Sequence, residues 1–461
     1  MMSDASQFLL PRGFRFGAAK AGLKASGRTD FALIVADAPA SAAAVFTANR
    51  VTAAPLAVDK EHLRATGGKV RVAAINAGNA NCAAGQAGLE AARATCAAAA
   101  KIFGCRPEEV FPSSTGIIGV PLPAEKLIAV LPALAASIGP ELDHFEQVAQ
   151  AILTTDTVEK TAFARLEIAA PEGESREVRI AALCKGSGMI HPQLVPHATM
   201  LVYVLTDAQV EPAVLDGYLR QAIEVSFNRI SVDGDTSTND TVLLLASGAS
   251  GARIDAGDAG FAAALTQVCS SLARQIVADG EGVSHVVELR IEGAASDAEA
   301  VKIAKAIAHS PLVKTAWAGC DPNWGRLMAA IGYSGAQIDP LRIEGAASNA
   351  EALKVAKAIA HSPLVKTAWA GCDPNWGRLV AAIGYSGAAI DPERIDIWFG
   401  ELRICRDGAR AAEFDEAAAH AYLEQPEFSI RIRLHQGAGC CVFWTTDLTV
   451  EYIHINADYS T

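Results

Sequence analysis

The sequence lacks several features that mark particular classes of protein. Its ten cysteines include no Cys-x-x-Cys spacing, which argues against a zinc ribbon or a thioredoxin-like site. It has no dense run of lysine and arginine, and its formal net charge is −12, so we expect no nucleic-acid partner. No stretch reaches the roughly 18 consecutive apolar residues of a membrane span, and residues 1–14 lack the pattern of a signal peptide. We therefore expect a cytoplasmic protein with reduced cysteines, no membrane contact and no metal.

What the sequence does contain is ample material for a core. Of its 461 residues, 51% are hydrophobic and 20% charged, which is typical of one large or two medium globular domains. Apolar runs and helical periodicity alternate along the chain, which predicts an α/β fold of layered sheet and helix. The clearest predicted strands and helix, and the loops between them, are strands Lys69–Ala77, Thr199–Leu205 and Thr241–Leu245, helix Gly88–Phe103, and loops Ala77–Gly85 and Ser113–Pro123.

The middle of the chain contains a tandem repeat. Residues 289–340 and 341–392 are two copies of 52 residues that differ at only five positions. Two copies are too few for a solenoid, which usually needs three or more units to bury a continuous core. Each copy predicts a strand, an alanine-rich helix and, after the segment CDPNWGR, a second helix. We expect one copy to fill a slot in a compact fold and the other to form an extra bulge or layer.

A glycine- and proline-rich segment, KGSGMIHPQLVPHAT, runs from Lys185 to Thr199 and leads directly into a predicted strand. A threonine at the start of a buried strand is held rigidly, whereas the loop before it can be cut. Breaking the bond between Ala198 and Thr199 would give Thr199 a free α-amine, whose pKa is ordinarily about 7.7–8.0, next to its own hydroxyl. The residues alone leave open an ordinary strand threonine. His191 and His197 lie shortly before this bond, but no partners for a catalytic triad accompany them.

Several motifs along the whole chain resemble those of the ornithine acetyltransferase (glutamate N-acetyltransferase) family of arginine biosynthesis. KGSGMI and HATML resemble the family's self-cleavage segment, although the loop between them is longer here. Other landmarks stand in the family's order: SGRTD, AGNANC, STGIIGVPLP, TTDT, DGEG, DPNWGR and the C-terminal NADYST. The longer loop is one departure from the family pattern, and the tandem repeat, which duplicates DPNWGR, is the second.

The resemblance implies a self-processing acetyltransferase fold and a two-step, covalent reaction. Cleavage between Ala198 and Thr199 would give an α chain, 1–198, and a β chain, 199–461, assembled as two of each. Thr199 would accept the acetyl group of N-acetylornithine and pass it to glutamate. Thr115 and Gly116 match the pair that stabilises the oxyanion. The reaction needs no cofactor; some members also use acetyl-CoA as the acetyl donor.

The resemblance also implies where the substrates bind. Lys185 matches the cation for the α-carboxylate, and Glu281 matches the acceptor for the ornithine ammonium group. The remaining matched residues are Thr154, Thr155, Asn456 and Thr461. Two other functions stay open at this point. One is a self-processing aminopeptidase of the same fold, which would use a serine as its nucleophile. The other is a catalytically inactive scaffold, in which the duplication disrupts the part of the fold that the repeated segment occupies. The acidic loop Ser231–Asp240 lacks the ligand order of a calcium-binding EF-hand, and we expect it to pack near the nucleophile.

Overall fold

The computed structural model of the chain describes residues 10–169, 175–192, 200–289, 297–318, 342–388, 390–425, 428–441, 449–450 and 453. The predicted α/β architecture is confirmed, with two main sheets and helices on both faces of the larger one. The strands are β1 (Phe14–Ala19), β2 (Phe31–Phe46), β3 (Lys69–Asn79), β4 (Val110–Ile117), β5 (Lys160–Ala169), β6 (Ser175–Lys185), β7 (Leu201–Thr206), β8 (Gln209–Val210), β9 (Thr241–Ala246), β10 (Arg253–Ile254), β11 (Arg342–Ala346), β12 (Asp396–Phe399), β13 (Leu402–Arg406), β14 (Ala409–Arg410), β15 (Ile430–Arg433) and β16 (Gly439–Cys441). The helices are α1 (Ala54–Thr66), α2 (Gly85–Phe103), α3 (Ala124–Ser137), α4 (Leu142–Ala151), α5 (Pro212–Glu224), α6 (Ala259–Ala278), α7 (Asp297–Ala308), α8 (Pro311–Ala318), α9 (Asn349–Ala360), α10 (Pro363–Ala370), α11 (Trp376–Tyr385) and α12 (Glu416–Leu423).

The larger sheet has the strand order β4-β3-β2-β9-β7-β6-β5, with β1 beside the first part of β2. The β3–β4 and β7–β9 pairs are parallel, and the other pairs are antiparallel. Because β6 runs antiparallel to β7, Lys185 at the end of β6 lies opposite Leu201 at the start of β7. Leu201 is in turn in register with Thr241, the first residue of β9. The ends of three strands therefore meet where the candidate processing segment enters the sheet.

Helices cover both faces of this sheet, so its central strands are mostly apolar. Every residue of β7 and β9 is buried, as expected for strands packed on both sides. Along β2, Leu33 and Val35 face α2 and α3, whereas Ala32 and Ile34 face the opposite core, because successive side chains of a strand alternate in direction. Helices α5 and α6 cover β6, β7 and β9 on the same face of the sheet as α2 and α3.

The second copy of the repeat belongs to the core on the opposite face. Its strand β11 lies between β15 and β16 in the smaller sheet. Apolar residues of α9 and α11, such as Val355 and Ile383, are fully buried in one cluster with Phe46 and Phe111 of the larger sheet. A Cβ atom on Gly119 would overlap the Trp376 indole, so the loop after β4 is shaped to fit this copy. The second copy therefore occupies the slot in the fold.

The described part of the first copy, residues 289 and 297–318, lies outside these cores. Ile307 and Val313 are buried, but neither belongs to one of the three large apolar clusters. The His309 ring packs edge-on against His191, with ring centroids 4.1 Å apart. Helices α7 and α8 thus form an added layer over the segment that precedes the candidate cleavage site.

Some predicted boundaries were wrong. The segment Ser113–Pro123 was expected to be a loop, but its residues up to Ile117 continue β4, so Thr115 and Gly116 lie at the end of a strand. Ala77–Asn79 likewise belong to β3. The reason is main-chain pairing between β3 and β4, which satisfies backbone groups whatever the side chains are. Helix α10 was not predicted, and the strand expected at 289–291 lies mostly outside the described residues. None of the described helices is long and apolar enough to cross a bilayer.

Candidate functional site

A cavity of about 540 Å³ opens where β6, β7 and β9 meet the end of β4. Six of the residues singled out from the sequence line it: Thr115, Gly116, Thr154, Thr155, Lys185 and Glu281. Met200 and Leu201, which follow Thr199 in the chain, also line it, and the backbone of Met200 is fixed by a 2.8 Å hydrogen bond from the Thr241 N–H. The other four predicted site residues, Ala198, Thr199, Asn456 and Thr461, lie outside the described residues.

Thr115 and Lys185 are brought together although 70 residues separate them. The Lys185 ammonium donates a 3.4 Å hydrogen bond to the Thr115 hydroxyl, and both residues are buried. The Thr115 hydroxyl therefore accepts from a cation and can turn its own proton toward the cavity. A polar group oriented in this way is suited to donate to a developing oxyanion.

Gly116 occupies a position where any side chain would be strained and would displace the neighbouring strand. Its φ is +131°, and a Cβ atom there would lie 2.4 Å from the carbonyl carbon of Gly78 on β3. Any side chain would force β3 and β4 apart at the cavity wall. The glycine thus keeps the end of β4 close to β3 and leaves its backbone exposed to the cavity.

A buried network of charged side chains lies next to Lys185. Asp156 accepts a 2.6 Å hydrogen bond from the Gly186 N–H and a 2.7 Å bond from the Lys160 ammonium, which also lies 2.5 Å from Asp279. Burial by itself would raise the pKa of Asp156, but Lys185 and Lys160 outweigh it and lower that pKa to about 2. The result is an ionised Asp156 that holds Lys185 and Gly186 in place.

The acidic loop before β9 joins the two halves of the site. The Asn239 amide donates to the carbonyls of Ala80 at 2.5 Å and Ser114 at 2.8 Å, which fixes the loop to β3 and β4. Thr238 donates 2.6 Å to the Asn239 side-chain oxygen and so orients that amide. Residues 237–240 line the cavity. The loop therefore forms part of the same wall as Met200.

The same loop also holds the segment that leads to the candidate cleavage site. Asp233 accepts hydrogen bonds from the N–H groups of Met189 at 2.5 Å and Ile190 at 2.8 Å. Burial and, to a smaller extent, the neighbouring Asp235 raise the pKa of Asp233 to about 7. Asp235 accepts a 2.6 Å hydrogen bond from Ser362 of the second repeat copy, so the repeat is linked through this loop to the segment before the candidate cleavage site.

The cavity is more basic than the molecule as a whole. Among the described residues, its charged lining consists of four basic and two acidic side chains: Lys24, Arg28, Lys185 and Arg378, and Asp240 and Glu281. Burial, and then the neighbouring Arg28, lower the pKa of Lys24 to about 8, against the opposing effect of Asp30 and Asp156. A net charge of −12 on the chain therefore coexists with a cavity suited to anionic groups.

Comparison with known proteins assigns the chain to a family. The family model described as ArgJ family matches residues 15–344 and, separately, 340–461. The chain belongs to the ArgJ family. The two matches meet at residues 340–344, where the second copy of the repeat begins. Each copy of the repeat is thus compatible with the ArgJ family pattern.

Relatives in the ArgJ family match nearly the full length of the chain. The arginine biosynthesis bifunctional protein ArgJ of Geobacter sulfurreducens is 40% identical over 454 residues, which cover 98% of this chain and 99% of that protein. The protein of the same name from Rhizobium meliloti is 40% identical over 456 residues, covering 97% and 95%. A crystal structure of ornithine acetyltransferase complexed with ornithine, from Mycobacterium tuberculosis, is 33% identical; it covers 40% of this chain and 94% of that one, with a TM-score of 0.35.

Several residues of the site were not identified from the sequence. Lys24 lies two residues before the SGRTD motif, and Arg28 is the arginine of that motif; their spacing of four with Lys20 was a local signal of a basic segment. Lys160 had no such signal, because a single lysine in a strand resembles any surface lysine until its burial is known. The buried ion pairs that fix Lys185 depend on contacts across 119 residues and are visible only in the fold.

Proposed function

We propose that this chain transfers the acetyl group of N2-acetyl-L-ornithine to L-glutamate, through an acetyl ester on Thr199, as a step of arginine biosynthesis. Membership of the ArgJ family supports the reaction class, and the chain is an acyltransferase in that family. The observation that supports the site is the single cavity that Thr115, Gly116, Lys185 and Glu281 share with Met200, the residue after the nucleophile.

The chemistry divides into two acyl transfers. The Thr199 hydroxyl oxygen attacks the acetyl carbonyl carbon of N-acetylornithine, its proton passing to the free Thr199 amine, and the C–N bond breaks as ornithine leaves with that proton on its amine. The α-amine of glutamate then attacks the ester carbonyl carbon, the bond from that carbon to the Thr199 oxygen breaks, and a proton of the attacking amine passes through the Thr199 amine to that oxygen, which regains its hydroxyl form. Thr115 and Gly116 would donate to the oxyanion of each tetrahedral intermediate, and loss of one such donor typically costs about 100- to 1,000-fold in rate.

Substrate binding follows from the charges of the cavity. Lys185 would bind the α-carboxylate that both substrates share, and Glu281 would accept the side-chain ammonium of ornithine. The backbone of Glu281 is held by a 3.0 Å hydrogen bond to the Ser187 carbonyl, and a Cβ atom on Gly188 would collide with the Glu281 carboxylate. Thr154, Thr155, Asn456 and Thr461 complete the proposed set. The mature enzyme is proposed to be a cytoplasmic assembly of two α and two β chains without a cofactor.

Mass spectrometry of the purified protein tests this function. We expect two chains, the second beginning at Thr199, and acetyl transfer from N-acetylornithine to glutamate. Thr199→Ala should abolish both cleavage and transfer, and an uncut variant that still transfers acetyl groups would overturn the proposal. A single uncut chain without transfer would support the inactive scaffold. Replacing N-acetylornithine by acetyl-CoA tests whether this chain also takes that donor.

A further inference from the structure

In the proposed reaction the cavity must bind two side chains of opposite charge in turn, and Lys185 and Glu281 do not account for binding of the second. N-acetylornithine ends in an ammonium group, whereas glutamate ends in a carboxylate, and both must place an amino-acid core beside the same nucleophile. Glu281 suits the first side chain and would repel the second. A second fixed cation is therefore required for the acceptor.

The loop between β1 and β2 places such a cation in the cavity wall. Lys24 is half-buried there, with Arg28 beside it on the same lining. The Lys24 ammonium donates 2.7 Å hydrogen bonds to the carbonyls of Thr29 and Ala151. An ammonium group has three donors, so these two bonds orient it and leave one proton for a ligand.

The loop itself is held in a defined shape. Asp30 is fully buried, and its carboxylate accepts hydrogen bonds from the N–H groups of Ala21 at 2.6 Å, Leu23 at 2.5 Å and Lys24 at 2.9 Å. The backbone of Lys24 is thus positioned before any ligand binds, which reduces the entropy lost on binding. Lys24 and Lys185 line the same cavity, and the charges of Asp156 and Lys185 both act on the Lys24 ammonium.

We propose that Lys24, assisted by Arg28, binds the side-chain carboxylate of the acceptor and so makes the enzyme select glutamate over neutral acceptors. This inference rests on the proposed acetyl transfer. Lys185 binds the carboxylate common to both substrates, Glu281 binds the donor's ammonium, and Lys24 binds the group that only the acceptor has. The two half-reactions therefore use different side-chain contacts around one nucleophile.

Acceptor selectivity in a Lys24→Gln variant tests the inference. Glutamine has the shape of glutamate without the side-chain charge, so kcat/KM is measured with each acceptor. We expect the ratio of the glutamate to the glutamine value to fall by at least about 10-fold, the factor that corresponds to one hydrogen bond between charged groups. Formation of the acetyl-enzyme from N-acetylornithine should stay unchanged, and Lys24→Arg should restore most of the selectivity.

Lys126→Gln is the matched control. Lys126 also donates to a carbonyl of this loop, that of Gly22 at 3.1 Å, but it is exposed and does not line the cavity. Its replacement should leave the selectivity ratio unaltered. If Lys24→Gln lowers the rates with both acceptors and with N-acetylornithine equally, Lys24 only holds the loop and the inference is wrong. If the unaltered enzyme transfers no acetyl group to glutamate, the proposed function fails instead.

Discussion

Replacing Lys160 by methionine should destabilise the protein far more than removal of an ordinary surface cation. The Lys160 side chain is fully buried and contacts Asp156 at 2.7 Å and Asp279 at 2.5 Å. Lys160→Met keeps the apolar volume but leaves two largely buried carboxylates that have lost their shared cation. Breaking a buried ion pair from one side typically costs about 3–5 kcal/mol of unfolding free energy.

The pH dependence of stability gives a second measure of the same cluster. The pKa of Asp156 is about 2 in the folded protein and 3.8 in its unperturbed form. A group with a lowered folded pKa stabilises the protein above its unfolded pKa, so this contribution of about 2 kcal/mol is present above pH 3.8 and is lost as the pH falls toward 2. In Lys160→Met the contribution should shrink, because only Lys185 and the Gly186 N–H then oppose the effect of burial.

Urea unfolding at neutral pH, followed by circular dichroism, measures the loss. Arg220→Met is the control: Arg220 lies 2.6 Å from Asp216 in an exposed pair, whose loss should cost no more than about 1 kcal/mol. Adding Asp279→Asn to Lys160→Met should recover part of the stability, because it removes one unpaired carboxylate. Equal costs for Lys160→Met and Arg220→Met, or strict additivity of the double variant, would refute the reasoning.

Three further results are expected. Gly116→Ala should fold but lose about 100-fold or more in the rate of acetyl transfer, because the new Cβ would meet Gly78 and displace a proposed oxyanion donor. Measurement of kcat together with a circular dichroism spectrum checks this expectation. A folded variant with unchanged kcat would contradict it. Ser362→Ala should lower the unfolding free energy by about 1–3 kcal/mol more than Ser310→Ala, its equivalent in the first repeat copy. Both serines cap a helix, but Ser362 also donates a hydrogen bond to the buried Asp235. Equal losses in urea unfolding would mean that the two copies contribute equally to stability. The pKa of Lys24 is about 8, so KM for glutamate should rise above pH 8 as the Lys24 ammonium loses its proton. The rise should be smaller in Lys24→Arg, because arginine keeps its charge at this pH. Parallel pH profiles of KM for the two proteins would exclude Lys24 as the binding cation.

Much of the secondary structure could be read from local pattern. The strands β3, β7 and β9 and the helix α2 were predicted within a few residues, because apolar runs and helical periodicity report burial along one element. Six of the candidate site residues, which were singled out through motifs whose order resembles that of a family, line one cavity. The end of β4 was mistaken for a loop, because its strand character comes from pairing with β3 and not from its own residue types.

The sequence alone determined the α/β class, the tandem repeat and the position of the threonine that begins the proposed β chain. Only the tertiary structure decided which repeat copy enters the core, since five differences in 52 residues leave the two copies with the same local preferences. It also decided that Lys24, Lys185 and Glu281 face one cavity, and that Lys160 lies between Asp156 and Asp279. The physical reason is range: backbone preference and burial period act over a few residues, whereas a charged site is assembled by sheet pairing and helix packing between segments more than a hundred residues apart.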